Sequence, residues 1–196
     1  MRSAVRIMCI LAAVFAAPAG LFPAARIVMV VAPSDFTDQE YAEPRTVFDK
    51  AGAAVVVAST RRGTAVGHDG MRVRVDVATG DLKTGQFDAI VVVGGMGALS
   101  SLMNDAPLLA LLRAASSSGK VVSAICVAPA VLARAGVLRD LAATCYPDAK
   151  VIAALKMNGA EYSRGSVITS GRVVTASGPQ AAKEFALRVL EALGKG

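Results

Sequence analysis

The sequence predicts an α/β fold, a doubly wound and mostly parallel sheet flanked by helices in a single domain. Two observations carry this. Apolar runs of strand length recur along the chain, and stretches of helical periodicity or capping pattern lie between them. The 196 residues are 54% hydrophobic and only 18% charged, which gives enough apolar surface for a real core and excludes a disordered chain.

Residues 27–32 (IVMVVA) are a continuous apolar run ending in Pro33-Ser34-Asp35, a buried strand and then a loop. Residues 38–51 follow as a helix with Pro44 inside it and Gly52 as a stop. Residues 54–58 (AVVVA) form a second buried strand. Residues 71–77 (MRVRVDV) alternate apolar and charged side chains, the pattern of a half-exposed strand at an edge or in a hairpin. Residues 89–93 (AIVVV) make a third core strand that runs into Gly94-Gly95. Residues 105–118 are helical, with Leu108, Leu109, Leu111 and Leu112 as the apolar face. Residues 121–125 (VVSAI) supply the fourth core strand. Pro129 then opens a helix over 130–135 from the first-turn position, where its missing N–H costs nothing. Gly171-Arg172 is a turn between 167–169 and 173–175. Residues 179–193 close the chain as an amphipathic helix expected to bury Phe185, Leu187, Leu190 and Leu193. No linker, repeat or low-complexity tract divides the chain.

The N-terminus has the layout of an export signal. Arg2 and Arg6 precede an apolar run over 7–17, and Ala17-Pro18-Ala19 or Pro23-Ala24-Ala25 offers small residues for cleavage. Residues 1–25 are therefore expected to be a signal peptide and 26–196 the mature domain, periplasmic or secreted, with no stable membrane association after cleavage. An uncleaved N-terminal anchor, or a misassigned start codon and a cytoplasmic protein, are the alternatives. Cys9 lies inside the apolar run without the context of a lipid-modified cysteine, so the mature chain keeps Cys126 and Cys145. The formal charge of +6 falls to about +4 without Arg2 and Arg6. No basic run with interleaved aromatics accompanies it, so nucleic-acid binding is not expected.

Chemistry concentrates where strands end, since doubly wound sheets bind ligands at their carboxyl edge. Cys126 sits on the corner between a strand and a helix, the geometry of a nucleophile elbow. A helix N-terminus there favours thiolate, which predicts a thiol pKa well below about 8.5. A small buried cysteine that only packs is the alternative. Gly94-Gly95-Met96-Gly97 would let backbone N–H groups approach a substrate oxygen, as an oxyanion hole requires, although tight turns use Gly for conformation too. It matches neither a dinucleotide fingerprint nor a phosphate loop. Glu40, early in the first helix, is either within reach of a neighbouring loop or simply solvated.

Taken together, these residues resemble the ThiJ/PfpI superfamily, which includes the parkinsonism-associated protein deglycase and the PfpI-type intracellular peptidases. Its fold is flavodoxin-like, of the class I glutamine-amidotransferase-like kind. The resemblance spans 26–194. It is carried by Glu40 with Pro44 and Ala51-Gly52, by Phe87-Asp88-Ala89 leading into Val93-Gly94-Gly95, and by Ala124-Ile125-Cys126 with Pro129 and Leu132-Ala133. Thr144-Cys145-Tyr146-Pro147, Thr175-Ala176-Ser177-Gly178-Pro179 and Glu184-Phe185-Ala186 extend it.

The resemblance implies that Cys126 is the reactive cysteine and that Glu40 is its acidic partner, donating a hydrogen bond to the thiolate and carrying a proton. It implies that the Gly95 and Val127 N–H groups form the oxyanion hole, with Gly94 and Tyr146 as candidates for the substrate pocket. It implies no cofactor and no metal, and a homodimer with the first helix and the 71–77 strand as candidate contacts. Departures are as informative. The family's histidine positions are Val127 and Tyr146 here, Ser177 stands where an arginine would fall, and His68 is expected to be a loop residue outside the site. Tyr146 either hydrogen-bonds substrate or packs, and tyrosine is a poor base near neutral pH. Cys145 is a buried filler or a resolving thiol. The implied function is a cofactor-independent glyoxalase or deglycase acting on small reactive aldehydes or glycated adducts. A redox-sensing or stress-response, chaperone-like protein with little turnover is the alternative. Peptidase activity is not expected.

Overall fold

The computed structural model describes residues 24–194, so the expected export signal lies almost wholly outside the described residues. Strand β1 (Arg26–Val30) runs into a short β2 (Ser34–Phe36) and helix α1 (Asp38–Lys50). Then come β3 (Ala54–Ser59), β4 (Gly63–Gly67), β5 (Arg72–Val75), β6 (Val77–Ala78) and β7 (Ala89–Val92). Helices α2 (Met96–Ser100) and α3 (Ala106–Ser117) lead to β8 (Val121–Ile125) and α4 (Pro129–Arg134). The chain closes with β9 (Ala142–Ala143), α5 (Ala149–Met157), β10 (Glu161–Tyr162), β11 (Val167–Ser170), β12 (Val173–Ala176) and α6 (Ala182–Leu193).

Seven strands make the central sheet in the order β11-β12-β8-β7-β1-β3-β6. Every neighbouring pair is parallel except β11 and β12, which form an antiparallel hairpin across Gly171-Arg172. The central strands are apolar throughout because helices cover both faces; β1, β7 and β8 bury nearly every side chain. From β1 the chain winds outward through α1 to β3. It then crosses back to β7 and winds the other way through α3 to β8. Right-handed crossovers in opposite directions place α1 and α3 on opposite faces and leave a crevice between the carboxyl ends of β1 and β7. The expected doubly wound fold is the observed one. Among the described residues no helix is long and apolar enough to cross a membrane.

The 71–77 alternation is a hairpin strand: β5 pairs antiparallel with β4, and β4 pairs parallel with β2 in a separate three-stranded sheet. What looked like a loop after β1 therefore contains a strand, too short to show a period. Helix α6 departs from expectation in its buried face. Phe185, Ala186, Val189 and Ala192 are buried, whereas Leu187 is 46% exposed. Phe185 and Val189 with the small Ala186 and Ala192 make the buried face, and Leu187 instead lines an open groove of about 690 Å³ between α1 and α6.

Candidate active site

Cys126 follows β8 directly and turns the chain sharply, with φ 65°. A non-glycine residue in this left-handed region carries strain of about 1–2 kcal/mol. The surrounding backbone holds it there: Cys126 N–H donates to Ala176 O at 2.8 Å, and Tyr146 N–H donates to Cys126 O at 2.7 Å. Cys126 is left 8% exposed and lines a pocket of about 260 Å³. That pocket is also lined by Gly95, Met96, Val127 and Tyr146, together with Asp35 and His68.

Glu40 projects from the first turn of α1 and is fully buried. Neither carboxyl oxygen has a hydrogen-bond partner of good geometry, although Cys126, the Gly94 N–H and the Thr37 side chain surround the group. Burial dominates and raises Glu40 from 4.5 to about 7, against the smaller opposing pull of those three neighbours. Gly94 explains how the two side chains meet. An alanine Cβ at that position would run into Glu40 Oε2 and stand 2.6 Å from Cys126 Cβ and 2.8 Å from Ile125 O. Gly94 is thus the gap through which carboxyl and thiol approach, and it is buried behind the sulfur rather than among the residues lining the pocket.

The expected low thiol pKa needs correction. Burial first, then the Glu40 carboxylate, push Cys126 from 9.0 up to about 12. The Gly95 and Val127 N–H groups act the other way, favouring negative charge on the sulfur, but they are outweighed. Helix α4 has only six residues and begins three positions beyond the cysteine, so its field is weak compared with desolvation. The resting pair is better described as a thiol beside a carboxyl poised to accept its proton. Gly95 itself has φ 98°, and a Cβ there would collide with backbone atoms of Asp35, Phe36 and Thr37. The Gly-rich turn therefore brings its N–H to the sulfur by packing tightly on the segment after β1.

Tyr146 lines the pocket at 47% exposure. Cys145, 1% exposed, faces a different pocket together with Ser177, and both cysteines are free. A largely apolar cavity of about 410 Å³, lined by Leu99, Met103, Ala130, Val151 and Ala154 with Asp148 and Lys150 also on its wall, shares Met96, Val127 and Tyr146 with the cysteine pocket. His68 is the residue that sequence reasoning set aside. It is a loop residue, as expected, but its loop forms a wall of the Cys126 pocket, and its Nδ1 lies 2.9 Å from Asp35 Oδ1. The Gly67-His68-Asp69-Gly70 turn marked a hairpin tip; nothing local marked what the tip would face.

Residues 25–192 match the family model described as the DJ-1/PfpI family. An uncharacterised protein of Methanocaldococcus jannaschii is 43% identical over 87% of this chain and 83% of its own length. A deglycase of Pyrococcus horikoshii is 32% identical, covering 78% of this chain and 90% of the relative. A glutathione-independent glyoxalase of Caenorhabditis elegans is 31% identical, covering 85% and 87%. The crystal structure of a ThiJ/PfpI domain protein from Brachyspira murdochii superposes with a TM-score of 0.84 at 30% identity, covering 88% of this chain and 98% of that one. The matching fold, the extent of the match and relatives that align over most of their length lead to one assignment: the chain belongs to the DJ-1/PfpI family.

Proposed function

We propose that the protein is a cofactor-independent glyoxalase or deglycase acting on small reactive aldehydes or their early adducts. One observation carries this reading: a fully buried carboxyl, raised to about 7 and without a good hydrogen-bond partner, lies against the thiol of Cys126, which lines a pocket. A base with a pKa near the working pH suits proton transfer in both directions. Cys126 Sγ bonds to the aldehyde carbon while its proton passes to Glu40. The Gly95 and Val127 N–H groups hold the charge that develops on the aldehyde oxygen until Glu40 returns the proton. The product is a hemithioacetal. With a 2-oxoaldehyde, transfer of hydrogen from C1 to C2 converts it to the thioester of a 2-hydroxy acid, which water cleaves to free the thiol. The largely apolar cavity beside it suits the substituent on C2. Peptidase activity is not proposed, because Val127 and Tyr146 stand where the family's histidines would assist acyl transfer by the thiol.

Redox sensing is the second reading, and the same orphaned carboxyl favours it: protonated Glu40 would donate to an oxygen of a Cys126 sulfinate. Methylglyoxal separates the two. The enzyme reading expects conversion to lactate by the wild type and none by Cys126→Ser. Inertness toward every aldehyde, with peroxide converting Cys126 to a discrete sulfinate, would replace it with the sensor.

We further propose export after cleavage within 1–25, supported by the arginine, apolar and small-residue order there. N-terminal sequencing from the native host tests it. A homodimer is proposed through α1. Strand β5, the other candidate, directs Arg72 and Arg74 outward on a sheet edge, a charge pattern that discourages strand pairing.

A further inference from the structure

His68 is the sole histidine of the chain, and the Cys126–Glu40 pair leaves it without a role. The hairpin that carries it is fastened on two sides. His68 N–H donates to Phe36 O at 2.8 Å, and the Asp38 carboxylate accepts from Asp69 N–H at 3.0 Å and Met71 N–H at 2.8 Å. These bonds hold the tip against β2 and the start of α1, which places His68 among the residues lining the pocket of Cys126. Asp35 Oδ1 lies 2.9 Å from Nδ1. An ionised carboxylate can only accept, so Nδ1 carries the hydrogen and Nε2 is the ring nitrogen left for a substrate. Asp35 is itself held in the left-handed region, φ 60°. Of the three non-glycine residues in that region among those described, Asp35 and Cys126 both line this one pocket.

We propose that His68 is the acid–base residue that moves the substrate proton from C1 to C2, with Asp35 as its positioning residue. This rests on the reading that Cys126 adds to 2-oxoaldehydes. In the step, the C1–H bond of the hemithioacetal breaks and its proton goes to Nε2. The electron pair forms the C1=C2 bond of an enediolate. The proton on the C1 oxygen passes to the neighbouring C2 oxygen, and Nε2 delivers its proton to C2 as the C1 carbonyl forms. C1 is oxidised at the expense of C2, so no outside oxidant or reductant enters.

Geometry divides the labour. Glu40 is fully buried, lines no part of the pocket and serves the sulfur and the oxygen bound at C1. His68, by contrast, is 74% exposed and meets the substrate from the open side. The base comes from a hairpin remote in sequence, which removes the need for a histidine at position 127 or 146. Asp35 first, then Asp69 and Asp38, raise the imidazole above its ordinary 6.5, while Cys126 and Tyr146 are the other titratable groups lining the pocket.

His68→Ala and Asp35→Asn test the assignment in the full-length domain. His68→Ala is expected to lower kcat for methylglyoxal by about 100- to 10,000-fold, with added imidazole restoring part of the rate. Alkylation of Cys126 by iodoacetamide should stay at the wild-type rate. Asp35→Asn should shift the single imidazole titration in the NMR spectrum to lower pH and move the acid limb of kcat with it. Wild-type kcat in His68→Ala overturns the assignment, as does a loss matched by an equal loss of alkylation. A wild type inert toward all 2-oxoaldehydes while Cys126 still alkylates removes the parent reading, and this one with it.

Discussion

The two sides of the cysteine pocket are built on opposite principles. On the elbow side, Glu40 and Gly94 are packed behind the Cys126 sulfur, and neither carboxyl oxygen has a hydrogen-bond partner. On the hairpin side, His68 and Asp35 are exposed at 74% and 45%, and His68 Nδ1 lies 2.9 Å from Asp35 Oδ1. Burial sets proton affinities on the first side, raising both Glu40 and Cys126. Neighbouring carboxylates raise the His68 imidazole on the second, where solvent screens each contribution. The difference teaches where perturbation is costly. A dry pair fails when its geometry changes by one methyl group, whereas a wet pair tolerates more.

Cys126→Ser should have the largest effect: no detectable methylglyoxal turnover, with a fold unchanged by circular dichroism. Retained turnover would move the chemistry away from the elbow altogether. Glu40→Gln comes next, with a loss of about 100- to 10,000-fold in kcat/KM. The same variant has an opposite effect on stability. Folding raises Glu40 from 4.5 to about 7, so its contribution is fully present below 4.5 and is lost as pH rises through about 7. Above that range Glu40→Gln should therefore be more stable than wild type by up to about 3 kcal/mol, and near pH 4 the two should converge. Denaturant melts at both pH values check the sign.

Two glycines compare the sides directly. Gly94→Ala forces a methyl group between Glu40 and Cys126 and should cost about 1–3 kcal/mol together with most of the activity. Gly70→Ala, at φ 93° on the hairpin with open space around it, should cost about 1–2 kcal/mol of backbone strain and leave the Glu40–Cys126 pair intact. Equal losses of thiol reactivity in the two variants would erase the distinction. The smallest effect is expected from Tyr146→Phe, a few-fold rise in KM at nearly unchanged kcat, because its ring still lines both the pocket and the largely apolar cavity.

The central sheet was legible because its strands are buried on both faces and so appear as continuous apolar runs. Short or mixed elements were not. Strand β4 (GTAVG) is five residues with two glycines, and β2 is three residues beginning at Ser34. Helix α5 left one unused signal: the Asp148 side chain caps it by accepting from Lys150 and Val151 N–H at 2.9 and 3.2 Å. On the site, Cys126 was visible as a corner between strand and helix, whereas Glu40 was legible only through the resemblance, since its position alone fits a solvated carboxylate equally well. The thiol pKa was misjudged because helix polarity shows in the sequence whereas desolvation is a property of the packed whole. His68 was missed for a related reason. Its partner Asp35 is 33 residues away, and only the parallel pairing of β2 with β4 brings them together.

The central claim is that the Glu40 carboxylate is the base for a buried Cys126 thiol. The most direct measurement is the rate of Cys126 alkylation by iodoacetamide against pH, resolved by peptide mass spectrometry so that Cys145 is counted separately, in wild type and Glu40→Gln. In wild type the rate should climb with ionisation of Glu40, with a midpoint near 7, and that rise should vanish in Glu40→Gln, leaving only a slow reaction that increases at far higher pH. A midpoint near 7 that survives Glu40→Gln, or an ordinary thiol profile near about 8.5 in both proteins, would contradict it.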